Sequence, residues 1–270
     1  MDRSLVLALV VGVLQGIFEW LPISSEGQIT LYLTAIEGLP ADTALGFSLF
    51  LHAGTALSAL AYYRGEVAAL ARSVPEWRPA SAFERRAELS FLAVATLASG
   101  LVGIPAYLLL ADLASALAGG AFVALIGVLL VLTGLLQRAV ESRGGARAEP
   151  DLLDAVLVGA LQGLAILPGV SRSGTTASAL LLRGHDGPSS FRLSFLLSIP
   201  AALGAGALAL ADGGLPAVAP DAAALALSAS AVVGYLTIGA LMALVQRVAF
   251  WGVCVGLGGL AILGGAVALV

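Results

Sequence analysis

The long apolar runs of this chain limit its fold more than any other feature. Stretches 89–111, 120–137, 222–245 and 250–270 contain no charged side chain, and 191–211 contains only Arg192. About 20 consecutive apolar residues suffice to span a bilayer as a helix. With 43–63, these runs make six full spans. Asp42 or Thr43 is expected to cap the first, and Gly103 and Pro105 to interrupt the second. Charged residues are 11% of the chain and the mean hydropathy is +1.01. A soluble domain carries about 25% charge. The expected class is an all-α polytopic membrane protein, one integral-membrane domain over 1–270.

All 13 basic residues are arginines. Loops 64–88 and 138–147 hold most of them, and two spans lie between, so both loops face one side. Loops rich in basic residues stay cytoplasmic. The connections around Asp112 and over 212–221 carry no basic residue and fall on the outer side. A net charge of −4 gives no reason to expect nucleic acid. A single cysteine, Cys254, excludes a disulfide within the chain and a cysteine metal cluster, and two histidines exclude a multi-histidine site.

Two stretches break the apolar pattern. The first, 15–28, reads QGIFEWLPISSEGQ. Pro22 ends a helix there and Ser24 offers a new N-cap, which predicts a helix–break–helix element. The second is PGVSRSGTT over 168–176, after a short apolar segment 152–167. Broken backbone at membrane depth is tolerated only where it is buried in protein or lines a cavity.

The two stretches are copies. Gly12, Gln15 and Gly16 match Gly159, Gln162 and Gly163, Leu21-Pro22 matches Leu167-Pro168, and Ser24 and Gly27 match Ser171 and Gly174. Three spans lie between equivalent points, so the repeats, about 1–139 and 152–270, are inverted. The first element enters from the outer face and the second from the cytoplasmic face. Paired broken helices in inverted repeats put a binding site near the midplane.

An ionisable residue at that depth marks a functional site. In the second element Arg172 stands between Ser171 and Ser173, next to a glycine and a helix N-terminus, which together suit an anion. In the first, Glu19 suits a divalent cation or a general base, and Ser24 or Ser25 a nucleophile. Glu26 reads more as a helix cap than as a catalyst. Trp20 and Phe18 read as packing. His52 is a buried polar partner as readily as a catalytic group, and His185, in a loop with Gly and Asp, reads as solvated.

The paired motifs resemble the undecaprenyl-pyrophosphate phosphatase family, the bacitracin-resistance proteins. The first family pattern, Glu/Gln-Gly-x-x-Glu-Phe/Trp-Leu-Pro-x-Ser-Ser, is matched over 15–25, and the second, Pro-Gly-x-Ser-Arg-Ser-Gly-x-Thr, over 168–176. The run FLLSIP at 195–200 also fits. The resemblance covers essentially the whole chain. It implies a plasma-membrane hydrolase that removes the terminal phosphate of an undecaprenyl-type diphosphate and so recycles a lipid carrier of envelope synthesis. It implies six spans with two re-entrant helix pairs, help from Mg2+ or Ca2+, and a homodimer. Carried onto this chain, the catalytic residues are Glu19, Ser25 and Arg172, with Glu19 also toward the metal. Ser24, Gln28, Ser171, Ser173, Gly174 and Thr176 bind substrate, and Gln15, Glu26 and His52 are further candidates. Gln28 stands where the family usually has a histidine, and Gln15 where a second glutamate is frequent. An acid–base role for that histidine does not carry over.

Two other readings use the same features. A transporter or flippase of polyprenyl phosphates shares the inverted-repeat layout, and a non-catalytic binder would hold a lipid phosphate unchanged. Phosphate release from purified protein separates the phosphatase from both.

Overall fold

In the computed structural model, residues 2–117, 119–211 and 218–268 are described. Most of the connection 212–221, expected on the outer side, and the last two residues of the run 250–270 lie outside the described residues. Among the described residues the chain is helical and has no β-strand. The first broken element is α1 (Arg3–Phe18) and α2 (Ser25–Leu31), continued by a π turn over Tyr32–Ile36. Then come α3 (Ala41–Tyr62), the short α4 (Arg64–Ser73) and α5 (Ala82–Arg85), α6 (Ala87–Ala116) and α7 (Gly119–Val140). The second broken element is α8 (Leu152–Leu164) and α9 (Arg172–Leu182), followed by α10 (Gly187–Ala211), α11 (Pro220–Val245) and α12 (Trp251–Val267).

Among the described residues, five helices, α3, α6, α7, α10 and α11, are long and apolar enough to cross a membrane. The run expected as the sixth span forms α12 with 17 residues. The expected interruption at Gly103 and Pro105 does not occur, because α6 runs through both. A proline removes one backbone hydrogen bond, and a long helix packed against neighbours keeps the rest of its ladder. The cap expected from Asp42 or Thr43 is not used either. Helix α3 begins at Ala41 with no side-chain cap bond, and Asp42 Oδ1 instead accepts from Thr43 N at 2.7 Å.

Packing follows the repeat. Helix α1 lies along α11 and α8 along α6, while α7 pairs with α12 and α3 packs on α10 and α11. Without a hydrophobic drive between helices in lipid, close approach at small residues holds such pairs. Gly12 and Gly159, equivalent in the two copies, do the same work. A Cβ on Gly12 would lie 2.4 Å from Ala226 O, and one on Gly159 2.4 Å from Ala95 O.

Ion pairs join the two ends of each broken element. Arg3 pairs with Glu37 at 3.2 Å, joining the start of α1 to the end of the π turn. Arg183 Nε pairs with Asp154 Oδ1 at 2.7 Å, joining the end of α9 to the first turn of α8, and Arg147 bonds both Asp151 and Asp154 at 2.9 Å. His185 corrects the expectation of a solvated loop. It is fully buried, with Nε2 2.9 Å from Asp154 Oδ2. Backbone pairing draws it in: Gly145 N donates to His185 O and Asp186 N to Arg147 O.

Candidate active site

The two breaks meet in the middle of the bundle. Ser24 caps α2, as expected, by accepting from Gly27 N at 3.3 Å. Its φ of 60° makes it the one non-glycine residue with positive φ among the described residues. Such backbone costs about 1–3 kcal/mol and persists only where surrounding contacts hold it. One of those contacts crosses to the other break, where Gly169 N donates to Ser24 Oγ at 3.0 Å. On that side Ser171 caps α9, accepting from Gly174 N at 3.2 Å. The turns lie so close that a Cβ on Gly27 would fall 2.7 Å from Gly169 N.

Helix α7 braces both turns. Thr133 Oγ1 donates to Gly169 O at 3.0 Å and accepts from Ser171 N at 3.3 Å. One turn along, Gln137 Nε2 donates to Pro22 O at 2.6 Å, and Cys254 Sγ of α12 donates to the same oxygen at 3.2 Å. Thr133 and Gln137 were legible only as two polar residues four apart in an otherwise apolar span, a spacing that puts both on one helix face.

Between the turns lies a cavity of about 20 Å³, lined by Glu19, Ser24, Ser25, Glu26, His52, Arg172 and Ser173 among others. Glu19 is its hub. Arg172 NH2 donates to Glu19 Oε1 at 2.7 Å, and Ser25 Oγ donates to Oε2 at 2.8 Å. Gln15 Nε2, buried behind the carboxylate, donates to Oε2 at 2.9 Å, and His52 Nε2 lies 3.4 Å from it. His52 Nδ1 sits 2.9 Å from Ser48 O. A carbonyl only accepts, so Nδ1 carries a proton and Nε2 is the nitrogen turned to Glu19. A second, larger cavity of about 460 Å³ shares Glu26, His52 and Arg172 with the first. It runs between α6 and α10 on walls such as Gly100, Ile104, Ala205 and Leu208.

The three residues expected to be catalytic, Glu19, Ser25 and Arg172, therefore come together, and the ion pair weighed for Arg172 is present. Of the expected substrate-binding residues, Ser24, Ser171 and Ser173 line the cavity. Gln28 turns its amide to Ile23 O at 3.2 Å, Thr176 Oγ1 lies 2.6 Å from Ser194 Oγ, and Gly174 backs onto Gln137, so these three lie off the lining. Glu26 is on the lining and makes no capping bond, that task being held by Ser24. Trp20 is a packing residue, as expected, buried with Nε1 donating to Gly234 O at 3.0 Å.

Residues 8–260 match the family described as bacitracin resistance protein BacA. An undecaprenyl-diphosphatase of Haloarcula marismortui is 54% identical over 97% of this chain and 98% of its own length. One from Methanococcoides burtonii is 37% identical, covering 96% and 98%, and one from Methanopyrus kandleri is 40% identical, covering 95% and 94%. The chain belongs to the bacitracin resistance protein BacA family.

Proposed function

We propose that this multi-pass membrane protein is a polyprenyl diphosphate phosphatase that converts an undecaprenyl-type diphosphate to the monophosphate at the plasma membrane. The observation that carries the reading is the convergence of Ser25, Glu19 and Arg172 on one buried cavity, 2.8 and 2.7 Å apart through the two oxygens of Glu19. Beside it, the groove between α6 and α10 suits a prenyl chain. The proposed topology is six crossings, with α12 as the sixth, and two re-entrant pairs.

The diphosphate enters with its chain in the groove and its terminal phosphate over Ser25. Arg172 turns its guanidinium from Glu19 to the phosphate oxygens, which a planar fork fits two at a time. The first N–H groups of α9 have no partner inside the helix and favour the same anion. Ser25 Oγ attacks the terminal phosphorus while its proton passes to Glu19 Oε2. The bond to the bridging oxygen breaks, and the lipid monophosphate leaves with that electron pair. Water then hydrolyses the phosphoserine, with Glu19 positioned to hold and return the proton. Ser24 does not compete as nucleophile, because its hydroxyl already accepts two backbone N–H bonds. The carboxylate and hydroxyl oxygens on the lining suit a hard cation such as Mg2+ or Ca2+. A carboxylate of the lining, Glu19 or Glu26, would hold it. When bound it would offset charge on the phosphate oxygens.

The test is phosphate release from farnesyl and longer prenyl diphosphates by the detergent-solubilised protein, with and without chelator. Release that Ser25→Ala abolishes supports the reading. No release under any divalent cation refutes it.

A further inference from the structure

We propose that the divalent cation of this site is held chiefly by Glu26, and that Glu19 serves the proton and Arg172 instead. The inference rests on the phosphatase reading and assigns a metal ligand within it. Glu19 is engaged on both oxygens, with Arg172 on one and Ser25 and Gln15 on the other. Glu26 is the opposite case. It is 5% exposed, Oε1 is buried with no hydrogen-bond partner, and no ion pair reaches its carboxylate among the described residues. It lines both the small cavity between the turns and the long groove.

A buried carboxylate left without hydrogen bonds or a counter-charge is strongly unfavourable when ionised. The guanidinium in the cavity is already bound to Glu19, which leaves the Glu26 carboxyl without a partner. A hard oxygen donor, the Ser25 hydroxyl, shares the lining with it. A cavity of about 20 Å³ admits about one body the size of a water molecule or a small cation. Position 26 also lies where the groove meets the small cavity, so a cation there would face a diphosphate threaded from the groove. Neither Gln15 nor Gln28 competes, because each is a neutral amide and neither lines the cavity.

The experiment is Mn2+ binding to the full-length protein in detergent, read from the electron paramagnetic resonance of free Mn2+. It is run with Mn2+ alone and with methylenediphosphonate added. The parent takes up Mn2+ in at least one condition. Removing one charged ligand weakens a divalent site by about tenfold or more, so Glu26→Gln loses that much affinity while Glu26→Asp retains part of it. Glu19→Gln changes affinity by less than Glu26→Gln does. Melting temperatures confirm that each variant is folded. Uptake by Glu26→Gln within about twofold of the parent overturns the assignment, since that difference is under 0.5 kcal/mol. A larger loss in Glu19→Gln, or no uptake by the parent in either condition, also overturns it. Phosphate release by the same parent preparation is measured separately. If it persists while the assignment fails, the phosphatase reading stands and only the ligand is wrong.

Discussion

Arg172→Lys separates a phosphate anchor from a structural counter-ion. In the resting site Arg172 NH2 bonds Glu19 Oε1 at 2.7 Å, while NH1 is 3.5 Å from Ser194 O, at the limit of a hydrogen bond. A lysine keeps the charge and can keep the pair with Glu19. It cannot present two parallel N–H groups to a phosphate. The loss at the transition state is then about one charge-assisted hydrogen bond, roughly 1.5–3 kcal/mol. At about 1.4 kcal/mol per decade, kcat/KM should fall about 10- to 100-fold. The pair with Glu19 survives, so the melting temperature should move little. The assay is initial phosphate release at saturating cation over a range of farnesyl diphosphate concentrations, beside a thermal melt in the same detergent. Activity within about threefold of the parent, a difference below 1 kcal/mol, would refute the anchor and leave Arg172 as a partner of Glu19 alone.

Four further outcomes follow from the geometry. Ser25→Ala should abolish turnover with little change in melting. Ser24→Ala should melt earlier, because it strands two buried N–H groups worth about 1–3 kcal/mol each; equal mild losses of activity in both would exclude Ser25 as nucleophile. Gly100 faces the groove with nothing within 4 Å of a Cβ. Gly100→Leu should therefore raise KM for long prenyl diphosphates about tenfold, as expected for about 1–3 kcal/mol of lost chain contact, and spare isopentenyl diphosphate; equal effects on both would remove the groove from chain binding. Asp154→Asn takes the charge from a buried carboxylate that holds Arg147, Arg183 and His185. Breaking such a cluster costs about 3–5 kcal/mol, and an unchanged melt would show that it does not hold α8 to α9.

The broken elements and their chemistry were legible because each carries a proline, a capping serine and an ionisable side chain inside apolar sequence. That pattern singled out Glu19, Arg172 and the pair Ser24 and Ser25 before the structure, and the family resemblance chose Ser25 of the two. Their mutual geometry could not, since the bond from Gly169 N to Ser24 Oγ joins positions far apart in the chain. Thr133 and Gln137 escaped notice because a span is read for length and charge, and two uncharged polar residues alter neither. Pro105 misled because a propensity is local, while the packing of α6 on α8 is not. His185 misled for a similar reason. Gly and Asp neighbours mark a loop, and only backbone pairing with the segment around Arg147 buries it.

The matched stretches separate positions that hold backbone from positions that line the cavity. At equivalent places the two copies do the same backbone work: Gly12 and Gly159 seat crossing helices, and Ser24 and Ser171 cap the helix after each break. Some of the positions at which the copies differ face the shared cavity. Ser25 in the first copy stands opposite Arg172 in the second at the same offset as Ser24 and Ser171, and Glu26 stands opposite Ser173. Glu19 follows the end of α1 as Ala165 follows the end of α8, so the first copy brings the carboxylates and the second the guanidinium. A duplicated scaffold of this kind can change one copy's exposed positions without disturbing the caps and glycine seats that hold both. Differences between the two matched stretches bring Glu19, Ser25 and Arg172 together around one cavity.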